Sequence, residues 1–150
     1  MNGAHIHLLL NHIPILGSIF ALCLLVFGKF SGNATVTKTS LVTLVVCALI
    51  SIPVYLSGEE AEHVVDPIIG VNKIALEAHE EQAEIAFWVL LMNGAIALAT
   101  LISSIKTKSL SPPLVWINLV LLILVVVLMA RTGGSGGKIR HSEIITSQPF

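Results

Sequence analysis

The chain has 150 residues, of which 55% are hydrophobic and only 11% charged, and its net charge is −1. A soluble domain carries about 25% charged residues, so the deficit points to lipid as the solvent. A chain without a basic surplus cannot neutralise a phosphate backbone, which excludes nucleic acid as a partner.

The length is that of one domain, and residues 1–150 are read as a single integral membrane domain. Cys23 and Cys47 lie in apolar runs, where they behave as small hydrophobes and imply no disulfide framework. No basic region precedes the first apolar run, and no small-residue cleavage site follows it. Residues 13–27 are therefore expected to belong to a retained span.

Crossing a hydrocarbon layer of roughly 30 Å takes about 20 mostly apolar residues in a helix. Four segments qualify: residues 8–28, 40–56, 71–105 and 113–130, followed by a Gly-rich tail at 131–150. In the first, Asn11 caps a helix whose first turn holds Pro14, or the helix starts nearer Ala4 and Pro14 kinks it. Ser40 is the expected N-cap of the second span, and Pro53 stands near its end. The third is polar in its early turns, so it projects above the bilayer before entering it. The fourth begins at Pro113, shortly after Ser111.

The runs are too long and too evenly apolar for barrel strands, which alternate over about ten residues. Short connections at residues 29–39 and 106–112 favour antiparallel neighbours. The expected fold is all-α: an antiparallel bundle of four transmembrane helices with both termini on one side. Tyr55, Trp88 and Trp116 fall at aromatic-belt depths.

All nine carboxylates and six histidines fall in segments that meet at one face; the opposite face has only Lys29, Lys38, Lys106 and Lys108 as charged groups. Lys73, Arg131, Lys138 and Arg140 lie on the acidic side, so the count of basic residues is a tie. The first helix has two lysines after it and none before it, which places the Lys loops inside. The His/Glu face is then periplasmic.

Four constellations occupy that face. His5, His7 and His12 open the first span; histidine near the bilayer core usually faces a bundle interior or a cavity, although headgroups also tolerate it. His5 and His12, seven residues apart, share a helix face. Glu60 and His63 have the Glu-x-x-His spacing of carboxylate-bridged metal bundles, but only one such pair is plain. Glu77, His79, Glu80, Glu81 and Glu84 form the third group. There carboxylates also suit a helix N-terminus, and the small residues Ala83 and Ala86 below His79 admit a flat cofactor or a close helix. In the fourth, Arg131, Lys138, Arg140 and His141 bracket four glycines, which permit a tight turn and an anion clamp or else a flexible tail. A His12–His79 ligand pair needs a tilted or shifted third helix, because His79 sits roughly 13 Å above the boundary that His12 occupies.

The opening His-Ile-His-Leu-Leu-Leu-Asn-His-Ile-Pro-Ile, the acidic region before the third span and the closing Gly-Gly-Lys-Ile-Arg-His-Ser-Glu resemble a group of uncharacterised small four-helix bacterial membrane proteins. Some of these are suspected of binding b-type haem. The resemblance implies a four-helix protein of the bacterial inner membrane and lends weight to haem, but it assigns no ligand roles.

The leading expectation is a haem b redox subunit that exchanges electrons with membrane or periplasmic partners. His12, His63, His79 and His141 are the candidate ligands, with Arg131 and Arg140 meeting the propionates. The rival is a non-haem Fe, Cu or Zn site built from His12, His79, His63, Glu60, Glu80, His5 and His7. A third reading is a non-catalytic accessory subunit.

Overall fold

A computed structural model of the chain describes residues 3–65 and 71–139. The elements are α1 (Gly3–Leu10), α2 (His12–Phe30), α3 (Ala34–Val65), α4 (Lys73–Thr107) and α5 (Pro112–Lys138). With α1 and α2 counted as one span broken at Asn11, four helices are long and apolar enough to cross a membrane. No strand occurs among the described residues. Only 28–33% of each span's most apolar window is buried. Phe20, Phe27, Leu49, Trp88 and Val120 are among the large apolar side chains facing outward. Water does not tolerate so much continuous apolar surface, and lipid does; the fold is that of a multi-pass membrane protein.

Pro14 accounts for the break at Asn11. It has no N–H for the carbonyl of Leu10, and its ring crowds that carbonyl. The helix begins upstream of the proline, and the break falls just before it. Asn11 still donates its N–H to His7 O at 2.9 Å, so α1 and α2 stay roughly in line and α1 packs chiefly on α3.

Gly32, at φ 69°, ends α2. Its N–H meets Lys29 O at 3.3 Å, and Asn33 N–H meets Gly28 O at 2.8 Å, the paired closing bonds of a left-handed C-terminal turn. Asn33 then caps α3 by accepting from the N–H groups of Thr35 and Val36, both at 3.1 Å. Ser40, the expected cap, lies inside the helix, where its hydroxyl donates to Ala21 O on α2 at 2.7 Å. On either side of Ser40, Thr37, Thr39 and Thr43 satisfy their hydroxyls by donating back to carbonyls one turn earlier, so they fit within the helix that Asn33 starts.

Beyond residue 56, α3 continues through Gly58 to Val65, which carries Glu59, Glu60, Glu62 and His63 on a helix. Asn72 caps α4 by accepting from Ala75 N–H at 3.1 Å. At the far end, α5 does not stop at the glycines. It runs through Gly133, Gly134, Gly136 and Gly137 to Lys138, so residues 131–138 are helix and not tail. Each glycine costs a helix about 1 kcal/mol relative to alanine. Burial of Thr132 and Ser135 opposes that cost, as does the bond from Asn72 N–H to Ile139 O at 3.1 Å, which ties the start of α4 to the end of α5.

The helices form a ring: α3 lies between α2 and α4, and α5 between α4 and α2. Ala21, Leu25, Leu44, Leu90, Leu122 and Val125 are among its buried centre. Small residues set the crossings. A Cβ added at Gly94 would collide with Ala48, one at Gly17 with Cys47, and one at Gly28 with Thr37. Mid-bundle, the fully buried Asn118 donates to Thr100 Oγ1 at 3.0 Å and to Leu114 O at 2.8 Å, joining α4 to α5. The aromatics mark two levels. Phe30 and Trp116 meet at the lysine end, where Lys29 Nζ lies 3.9 Å from the Trp116 ring centre. Tyr55 stacks on Phe87 at 4.4 Å at the histidine end.

Candidate functional site

Two histidines from different hairpins meet at the His/Glu end. The rings of His7 (α1) and His79 (α4) have centroids 6.5 Å apart and planes at 87°. Each ring is held by main chain. His7 Nδ1 lies 3.0 Å from Val54 O on α3, and His79 Nδ1 lies 2.9 Å from Thr132 O on α5. A carbonyl can only accept, so Nδ1 carries the proton in both rings. In the neutral imidazole, Nε2 is then the free lone pair. Such a fixed tautomer, with the outer nitrogen available, is how metal-binding histidines are usually prepared.

The two supports are built alike. Ser57 Oγ donates to the same Val54 carbonyl at 3.0 Å, and Ser135 Oγ donates to the same Thr132 carbonyl at 3.0 Å. A glycine follows each serine and lies against the ring. A Cβ on Gly58 would stand 3.3 Å from His7 Nδ1, and one on Gly136 would stand 3.1 Å from His79 Cε1. The continued helicity of α5 matters here: only as a helix do Thr132, Ser135 and Gly136 present one face to α4.

Of the candidate residues, His7 and His79 come together, and both are partly buried. His12 and His5 are exposed, as are His63 and Glu60 on the last turns of α3 and Arg131 on α5. Gly3 packs directly on Glu60. Glu80 is half-buried on α4, next in sequence to His79. His141 and Arg140 lie outside the described residues. The depth mismatch expected for His12 against His79 is met by another partner, since His7 stands five residues, or about 7.5 Å, further up the first span.

Among the described residues, no group of three or more His, Cys, Asp and Glu side chains converges as a metal site. The arrangement therefore offers two imidazole nitrogens, not a mixed His/carboxylate shell. The residues that sequence reasoning missed are the supports Val54, Ser57, Gly58, Thr132, Ser135 and Gly136. Their one visible signal is the dipeptide Ser-Gly at 57–58 and 135–136, near the ends of the second and fourth spans, and it is a weak one because Ser-Gly also occurs at 31–32.

Comparison of the chain with protein-family models, with curated proteins and with solved structures finds no match.

Proposed function

We propose that the protein is a haem b redox subunit of the bacterial inner membrane, in which His7 and His79 would hold the haem and the His/Glu end faces the periplasm. The observation that carries this reading is the pairing of two imidazoles, each fixed through Nδ1 to a main-chain carbonyl. The two rings stand edge to face with centres 6.5 Å apart, close enough for both to serve one bound group. The donor count also favours haem over a non-haem ion. A porphyrin supplies four of iron's six donors and needs only two from the protein, whereas a bare ion asks for three or four.

When bound, haem b supplies one-electron exchange. The chain's own residues do the rest. His7 and His79 bind and orient, each tied to its own hairpin (α1 with α3, α4 with α5). The apolar bundle below excludes water, and Arg131 and Lys138, on the exposed last turns of α5, offer cationic partners for propionates. Redox partners would dock at the periplasmic end.

The test is an absorption spectrum of protein extracted from membranes of haem-sufficient cells. An intense Soret band that sharpens and shifts on reduction supports the reading. A colourless protein, with or without a stoichiometric metal, sinks it. A pair of glycine substitutions checks the geometry. Gly136→Ala puts a methyl against His79 and should weaken haem affinity by the 10–100-fold typical of outer-shell changes. In Gly134→Ala the added Cβ meets nothing within 4 Å, so that variant should keep the haem and gain about 0.5–1 kcal/mol of stability. Haem titration and detergent unfolding measure the two effects.

A further inference from the structure

The four spans repeat one device. In each hairpin, a histidine on the first arm is bound through Nδ1–H to a carbonyl on the second arm (Val54 or Thr132). Three residues after that carbonyl comes a serine whose hydroxyl donates to it (Ser57 or Ser135). Four residues after it comes the glycine that lets the ring lie close (Gly58 or Gly136). Other buried serines also bond back along their helices, as Ser51 does to Ala48 O at 2.7 Å, so back-bonding alone means little. What singles out Ser57 and Ser135 is that the carbonyl they bond is the one a histidine uses, twice, at identical spacing.

We propose that Ser57 and Ser135 are matched positioning residues that set how strongly His7 and His79 donate from their outer nitrogens to a bound iron. The proposal rests on the haem reading above. A carbonyl oxygen has two lone pairs, and a second donor drains the charge available to the first. With serine present, the Nδ1–H···O bond is held moderate. Without it, the same carbonyl pulls harder on the imidazole proton and the ring becomes a more basic ligand. A more basic axial ligand favours ferric over ferrous iron. Ser135 Oγ also lies 3.4 Å from His79 Nδ1, so its hydroxyl is close enough to act on that ring directly.

The experiment uses the full-length protein in detergent, with ¹⁵N-labelled histidine, as wild type, Ser57→Ala, Ser135→Ala and the control Ser51→Ala. Without haem, the Nδ1–H proton resonance of His7 should move downfield in Ser57→Ala, and that of His79 in Ser135→Ala, each leaving the other ring in place. With haem, each substitution should raise the ferric-to-ferrous affinity ratio about threefold, close to 30 mV lower in midpoint potential for a one-electron couple. Ser57→Thr and Ser135→Thr retain a hydroxyl and should return both readings toward wild type. Resonances unmoved in both alanine variants, or moved equally by Ser51→Ala, overturn the proposal. A wild type that takes up no haem defeats the haem reading separately, and the resonances of the haem-free protein still decide the role of the serines.

Discussion

Alanine at His7 or at His79 is expected to empty the protein of haem, lowering affinity by more than the roughly 100-fold that bounds most outer-shell losses. Alanine at His5, His12 or His63 should leave retention intact. The contrast is informative because all five histidines share one end of the molecule, and composition alone does not rank them. Two are turned inward and bound to main chain; the other three are exposed. Haem content per chain, measured after extraction and washing, gives the answer. Loss of haem in His12→Ala with full retention in His7→Ala would replace the proposed pair with another. Loss in none of the variants would mean that the His/Glu end is not the haem site. Because His7 contacts α3 and His79 contacts α5, far-ultraviolet circular dichroism should accompany each variant to show that the helices persist.

The largest effect on stability is expected at Gly94. Its α carbon lies so close to Ala48 that an added Cβ would overlap the alanine methyl, and both residues are buried where α3 crosses α4. Within a bilayer there is little hydrophobic drive to hold helices together. Close packing of small residues carries much of the association. Gly94→Ile forces the two backbones apart and should cost about 3 kcal/mol, the upper part of the usual range for overpacking. The same crossing joins the hairpin that carries His7 to the one that carries His79. Haem affinity should therefore fall with stability, although Gly94 lies 15 residues, about four turns, from His79 along α4. Unfolding in mixed detergent micelles reads the first effect and haem titration the second. A stable Gly94→Ile protein with normal haem affinity would show that the bundle accommodates a wider crossing.

The membrane architecture was legible because it rests on one-dimensional signals. Four long apolar runs and the lack of charge within them require helices in lipid whatever the packing. The boundaries were less legible. Ser40 carries the chemistry of a cap, yet it sits within α3 because Asn33 caps seven residues earlier and the intervening threonines satisfy themselves along the helix. The glycines after Ala130 carry the signature of a turn, yet α5 continues through them, and the small Gly136 lets His79 of α4 lie close. In both places a local preference yields to packing between helices.

The sequence by itself determined the solvent, the number of spans and the end of the molecule at which the histidines and acids collect, since hydropathy and charge placement follow from residue order alone. Only the tertiary structure decided which histidines face each other and what holds them. His5 and His7 are two residues apart, which on a helix is more than half a turn, so one points inward and the other outward, and neighbouring helices choose which. The pairing of His7 with His79 spans 72 positions. It depends on a break before Pro14, a helix that persists through four glycines to place Thr132 and Gly136 against His79, and the close crossing at Gly94, features spread over the whole chain.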